Sequence, residues 1–90
     1  MANYAELMDV YLRLTYRQRE VLFWVQQGLS NREIGEQLCI EACSVADHLT
    51  AIYAELGALD DFAQVGRATR YALIRLFSGF FDAHPEMACF

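Results

Sequence analysis

Few residues of this 90-residue chain have the types and spacing that catalysis or metal binding requires. Cys39 and Cys43 lie four positions apart, but no second pair of cysteines or histidines stands at the spacing of a zinc site. No serine or cysteine is arranged with a histidine and an orienting carboxylate, and no glycine-rich loop is suited to holding a phosphate. The sequence therefore predicts no enzyme, no metal site and no cofactor.

The composition indicates one small protein with ample apolar material. Hydrophobic residues make up 56% of the chain, which carries a net charge of −5. This length fits a single domain over residues 1–90, and the charge opposes a polyanion on average, although a local basic patch can persist. The three cysteines are an odd number, the N-terminus lacks a basic-then-apolar pattern, and no apolar run approaches the roughly 18 residues of a membrane span. We therefore predict a cytoplasmic protein with no membrane segment.

Two capping boxes indicate where helices begin. Thr15 with Gln18, and Ser30 with Glu33, each place a hydroxyl and a side-chain acceptor three positions apart, directly before apolar residues at helical spacing. One helix should therefore start after Thr15 and end just before Gly28, where a left-handed residue is favoured. A second, short helix should start after Ser30.

Further helices lie on both sides of this pair. Apolar residues recur at the helical period through a third helix, which opens near Cys43 and closes at Gly57. Before the first capping box, residues 4–12 carry an amphipathic stripe that predicts a short leading helix. All the elements predicted so far are helices.

The last predicted helix, residues 61–81, is apolar on more than one side. Such a helix is usually buried in a larger core or paired with another chain, and a domain of this size offers little core. We therefore predict a homodimer through this helix, with a different partner protein as the second possibility. The side chains assigned to this interface are Leu73, Leu76, Phe77, Phe80 and Phe81. Residues 82–90 are predicted to be an irregular tail, because Pro85 discourages helix before it.

A dense set of positions between Leu14 and Val65 follows one family pattern. The matching residues are Leu14-Thr15, Arg19-Glu20-Val21-Leu22, Gly28-Leu29-Ser30-Asn31, Glu33-Ile34, Leu38, Ile40, Val45, His48-Leu49, Ile52-Tyr53 and Leu56-Gly57. On these residues the segment resembles the LuxR/NarL/GerE-type helix-turn-helix output domain of bacterial transcriptional regulators. The resemblance implies an all-α domain of four helices, in which the second and third form the helix-turn-helix and the fourth commonly makes a dimer. Together with the leading helix and the extended last helix, it predicts a four-helix domain lengthened at both ends around a family-like core of residues 14–65.

The resemblance also implies where DNA would be contacted. Helix N-termini offer amide donors to phosphates, and the outward side of the third helix enters the major groove, where base edges are read. The candidate DNA-binding residues are Arg17, Ser30, Asn31, Arg32, Ser44, Asp47, His48 and Thr50. A structural role competes at several of them: Ser30 is first a helix cap, and His48 is favoured as a half-buried structural histidine.

The third helix departs from the family pattern in charge. The family usually places Lys or Arg around Cys43, Ala46, Thr50 and Glu55, where this chain has a thiol, a methyl, a hydroxyl and a carboxylate. The helix carries a formal charge of −2, from Asp47 and Glu55. Because neutralisation of phosphates supplies much of the affinity for DNA, this face should weaken DNA binding.

Two functions of different classes follow. The first is a stand-alone LuxR-type transcriptional regulator, without a receiver or ligand domain, that binds DNA as a dimer. The second is a repurposed acidic helix-turn-helix that binds a protein partner, such as another regulator, as an anti-activator or adaptor rather than binding DNA. The preserved scaffold favours the first, and the missing basic face favours the second.

Overall fold

A computed structural model describes residues 4–56 and 70–88, with backbone only at Tyr4, Tyr71 and Ala72. Within these residues the order is α1 (Tyr4–Arg13), α2 (Tyr16–Gln26), α3 (Asn31–Leu38), α4 (Ala42–Leu56), α5 (Arg70–Leu76), α6 (Phe80–Ala83) and a 3-10 helix (Pro85–Ala88). No strand occurs in this part of the chain. The all-helical prediction is confirmed, and so is the leading helix.

Both capping boxes form and set the starts of α2 and α3. The hydroxyl of Thr15 accepts from the amide of Gln18 at 3.2 Å, while the Gln18 side chain accepts from the Thr15 amide at 2.9 Å. Ser30 and Glu33 make the same reciprocal pair at 3.2 and 2.9 Å. Each box satisfies two amides that the first helical turn leaves without a partner. The predicted helix starts are therefore confirmed.

The turn between α3 and α4 depends on two residues with unusual backbone requirements. Cys39 ends α3 in the left-handed conformation, with φ of 58°. The chain then folds back closely enough for the Ile40 amide to donate to the Gly35 carbonyl at 2.9 Å. A Cβ at Gly35 would lie 2.6 Å from the Ile40 carbonyl oxygen, so this close approach requires glycine.

One continuous core joins the helix-turn-helix to the elements on either side of it. The helix-turn-helix segment contributes apolar side chains that are at most 4% exposed: Val21, Leu22, Val25, Ile34, Val45, Leu49, Ile52 and Leu56. Helix α1 adds Leu7, Val10 and Tyr11, and the C-terminal elements add Leu73, Phe77, Phe80 and Phe81. The side chains of α1 and of the C-terminal elements therefore enlarge the core of the helix-turn-helix.

The two ends meet in an aromatic cluster formed by Tyr11, Phe23, Phe77, Phe80 and Phe81. The Tyr11 ring lies 5.2 Å from Phe80 and 5.9 Å from Phe81, and Phe23 meets Phe81 edge-on at 5.4 Å. The Tyr11 hydroxyl donates to the Met87 carbonyl at 2.9 Å, so this buried phenol has the polar partner it needs. The cluster thus attaches the C-terminal elements to α1 and α2.

The structure differs from the prediction of one helix over residues 61–81. Residues 61–69 lie outside the described part, and the remainder forms two helices, α5 and α6, separated by a turn. Gly79 has φ of 79°, a conformation that glycine adopts freely, and this turn brings Phe80 and Phe81 back onto Tyr11. Residues 85–88 form a 3-10 helix where an irregular tail was predicted.

The side chains assigned to a partner interface have neighbours within the chain. Leu73, Phe77 and Phe80 are at most 1% exposed, Phe81 is 9% exposed, and Leu76 is half-buried against the core. The prediction treated them as a surface because the pattern of an isolated helix does not show what covers it. With these residues in the core, their apolarity is no longer a reason to expect an interface there.

Candidate nucleic-acid interface

The outward face of α4 presents small and polar side chains. Cys43, Ala46, Asp47, Thr50 and Ala54 are exposed. These positions recur at three- and four-residue intervals, so they lie on one side of the helix. An α-helix of this length, with its outer face free of bulky groups, has the dimensions that the major groove accepts.

Four predicted groove residues lie on α4 but differ in availability. Asp47 and Thr50 are exposed, whereas Ser44 and His48 are half-buried. The Thr50 hydroxyl donates to the Ala46 carbonyl at 3.0 Å, which leaves its oxygen as an acceptor toward solvent. Half-burial of His48 agrees with the structural role favoured for it.

The acidity of α4 is partly compensated within the fold. Glu55 pairs with Arg13 of α1, with Nε and Oε2 separated by 3.0 Å and both side chains about half exposed (50% and 42%). Asp47 has no cation within ion-pair distance among the described residues. Of the two carboxylates on α4, Asp47 alone therefore presents an uncompensated charge to a ligand.

The N-terminal turns of α2 and α3 carry the predicted phosphate contacts. Arg17 lies 3.7 Å from Glu20, and Arg32 lies 3.5 Å from Glu36, each within one helix. The Arg32 side chain is 87% exposed. An ion pair this exposed contributes little free energy, so a phosphate can compete for the Arg32 guanidinium at small cost. The Arg17–Glu20 pair is less exposed, at 43% and 14%. Ser30 caps α3, as the capping-box pattern predicts.

Arg19 has a structural role. Its Nε donates to the Tyr11 carbonyl and its Nη2 to the Leu12 carbonyl, both at 3.1 Å, and its guanidinium lies 4.9 Å from the centre of the Tyr11 ring. Both acceptors are carbonyls in the last turn of α1, where carbonyls lack partners one turn further along the helix. The Tyr11 carbonyl also accepts from the Leu14 amide at 3.1 Å. Arg19 therefore holds α1 against α2.

Arg70 is a contact of the candidate site that the sequence did not reveal. It lies at the start of α5, and its guanidinium donates to the Asn31 side chain at 2.5 Å and to the Leu29 carbonyl. Burial raises the pKa of the Tyr53 phenol on α4, and the positive charge of Arg70 opposes that rise. No local motif marks this arginine, because Asn31 is 39 positions away.

The Ser30–Glu33 capping box predicts an acid-sensitive contribution to stability. The hydrogen bond from the Ser30 amide, and secondly that from its side chain, hold the pKa of the Glu33 carboxyl below its ordinary value. A carboxyl whose pKa falls on folding stabilises the domain above its unfolded pKa, and this contribution disappears as the pH falls through the folded pKa. We expect Glu33→Gln to lose that part of the pH dependence, because an amide oxygen accepts at any pH. Urea unfolding of both proteins between pH 7 and pH 3 measures the difference.

The control for this prediction is Glu36→Gln. It removes the same charge from the same helix but leaves the capping box intact. Its urea midpoints should follow those of the wild type on acidification. An equal flattening of the pH profile in both variants would contradict the role assigned to the Ser30–Glu33 box.

The arrangement of α3, its left-handed turn and α4 defines a helix-turn-helix domain. The chain belongs to the luxR family of bacterial regulatory proteins, whose sequence model matches residues 12–65. The transcriptional activator protein BjaR1 of Bradyrhizobium diazoefficiens is 42% identical over 62 residues, which cover 69% of this chain and 26% of BjaR1. RpaR, an HTH-type quorum sensing-dependent transcriptional regulator of Rhodopseudomonas palustris, is 41% identical over 64 residues, covering 71% and 26% respectively.

A putative HTH-type transcriptional regulator of Mycobacterium tuberculosis, a much longer protein, is 39% identical over 57 residues. That match covers 63% of this chain but 6% of the relative. The chain thus corresponds to about a quarter, or less, of the length of these relatives. No solved structure matches the chain. None of the helices in residues 4–56 and 70–88 has the length and apolar character needed to cross a bilayer.

Proposed function

We propose that this domain binds DNA as a dimer and regulates transcription, with α4 in the major groove and the N-terminal turns of α2 and α3 against the phosphate backbone. The observation that carries the proposal is the tight turn from α3 to α4 with the outer face of α4 exposed. The family to which the chain belongs supports the same function.

The groups on these elements suit a division between backbone and base contacts. The N-terminal end of a helix attracts phosphate through its free amides and its dipole, and Arg17 and Arg32 add charge beside two such ends. On α4, the Asp47 carboxylate suits the amino group of cytosine, since carboxylates accept from that donor in the major groove. Thus Asp47 weakens general affinity for DNA and favours particular bases.

Dimerisation is proposed because one domain offers few cations to the backbone. Of the arginines in the described residues, Arg13, Arg19 and Arg70 are held by contacts within the fold. Two linked domains on half-sites about 34 Å apart bind far more tightly than one, because the second contact becomes intramolecular. Light scattering of the protein with and without a DNA duplex tests this part of the proposal.

The proposal predicts salt-dependent DNA binding to which Arg32 contributes. Anisotropy titrations with pooled genomic fragments at low salt should show binding, and Arg32→Ala should weaken it about fivefold per contact. In a dimer, the slope of log affinity against log salt should become shallower by roughly 2, because about 0.9 is lost per phosphate contact. Arg75→Ala, on the exposed side of α5, removes the same charge and is the matched control. Absence of wild-type binding at low salt would refute the proposal.

A second candidate function, binding of a protein partner such as another regulator, is favoured by the uncompensated charge of Asp47. A basic protein surface is attracted by the charge that repels DNA. Asp47→Lys separates the two candidates. If α4 enters the groove, this substitution strengthens binding to DNA of arbitrary sequence. If α4 binds a basic protein, the same substitution abolishes the partner complex.

A further inference from the structure

Arg70 connects the start of α5 to the N-terminal end of α3, next to the proposed backbone contacts. Its Nη1 donates to Oδ1 of Asn31 at 2.5 Å, and its Nη2 donates to the carbonyl of Leu29. The two acceptors lie on either side of Ser30, the cap of α3. Because Arg70 is half-buried and held at two points, its guanidinium has a fixed orientation relative to α3.

This contact determines which end of the Asn31 amide is available to a ligand. An asparagine side chain has an acceptor oxygen and a donor NH₂ group, and rotation of the amide exchanges them. A DNA phosphate oxygen only accepts hydrogen bonds, so the oxygen end of the amide would repel it. With Oδ1 engaged by Arg70, the NH₂ group remains for an acceptor.

We propose that Arg70 is a positioning residue for DNA binding: it fixes the Asn31 amide so that its NH₂ group donates to a DNA phosphate. The inference rests on the proposed function of the domain. It adds a residue from outside the helix-turn-helix to the binding machinery. Arg70 touches the protein rather than the DNA, so its effect on affinity passes through Asn31.

A double-mutant cycle tests this dependence. The wild type, Arg70→Ala, Asn31→Ala and the double variant are titrated with a pool of random-sequence duplexes of about 30 base pairs at low salt, long enough for two half-sites. Random sequences suffice because phosphate contacts do not depend on base identity. Each single variant should bind about tenfold more weakly per half-site, the loss expected for one charge-assisted contact. The double variant should lie within about twofold of Asn31→Ala.

Two outcomes of the cycle overturn the inference. If Arg70→Ala weakens binding by the same factor with and without Asn31, Arg70 acts through its own charge. If Arg70→Ala leaves affinity unchanged, the contact has no part in binding. A wild type that does not bind the duplexes overturns the proposed function and this inference together, and is recognised because all four proteins then fail alike.

Arg70→Lys separates positioning from charge and remains informative if the alanine variant fails to fold. Lysine keeps the charge but lacks the planar fork that reaches two acceptors, so it should weaken binding nearly as much as alanine. Full affinity in Arg70→Lys would overturn the inference. In the DNA-free protein, the NMR signals of the Asn31 NH₂ group should be those of an ordered amide in the wild type and become averaged in Arg70→Lys. Unchanged signals would equally contradict the inference.

Discussion

Phe80→Ala is expected to destabilise the domain by about 3–5 kcal/mol, the cost of emptying the site of a buried aromatic ring. The Phe80 side chain has no exposed surface, and its ring lies 5.2 Å from those of Tyr11 and Phe77 and 5.4 Å from that of Phe81. Helix α6, of four residues, is too short to be stable alone, so its position depends on this packing. Loss of this packing should also expose the end of α1.

Chemical denaturation at several protein concentrations distinguishes core packing from an interface between chains. If Phe80 belongs to the core of one chain, the loss of stability is the same at every concentration. If it served mainly a dimer, the loss would vary with concentration and the dissociated chain would unfold like the wild type. Leu12→Ala is the matched control, because Leu12 is 55% exposed, and its substitution should change stability by less than about 0.5 kcal/mol.

The helix starts could be predicted from sequence because a capping box is complete within four consecutive residues. Thr15 to Gln18 and Ser30 to Glu33 contain both partners of both hydrogen bonds. The helical spacing of apolar residues likewise predicts the inward faces of α2, α3 and α4. Local structure and the direction of burial can therefore be predicted from the sequence alone.

The spacing of apolar residues shows which face of a helix is buried, but it does not show which residues cover that face. The sequence predicts that the apolar residues from Leu73 to Phe81 contact a partner chain, because a helix that is apolar on several sides must be covered and its sequence does not identify the cover. In the fold that cover includes Tyr11, which is 69 positions before Phe80 and reaches it because the chain turns at Gly79. The leading helix and the C-terminal elements bury each other.

The charge of the candidate site can be predicted only in part from the sequence. A count along α4 gives two carboxylates, but Arg13 compensates Glu55 from 42 positions away. In the same way, Arg70 acts at Asn31 from another helix. Long-range pairing of this kind changes the field at a surface without changing the local sequence, so the sequence overstated the acidity of α4.

Gly35→Ala is expected to destabilise the domain by about 1–3 kcal/mol, the usual cost of forcing an added group into a packed site. In an open helix the same change would stabilise by about 1 kcal/mol through helix propensity. At Gly35 the added Cβ would lie 2.6 Å from the Ile40 carbonyl oxygen and 3.5 Å from the Ala42 amide nitrogen, both backbone atoms that a side-chain rotation does not move. The turn itself must shift, and α4 must shift with it relative to α3.

Cys39→Gly, in the same turn, should change stability in the opposite direction and is the control for Gly35→Ala. Cys39 is exposed and holds φ of 58°, so glycine removes backbone strain of about 1 kcal/mol without emptying a packed site. Urea unfolding should place the midpoints in the order Gly35→Ala, wild type, Cys39→Gly. A Gly35→Ala protein as stable as the wild type would mean that the turn relaxes freely. With α4 in the major groove, as proposed, its displacement would alter every base contact at once, so Gly35→Ala should also weaken DNA binding even where the variant remains folded.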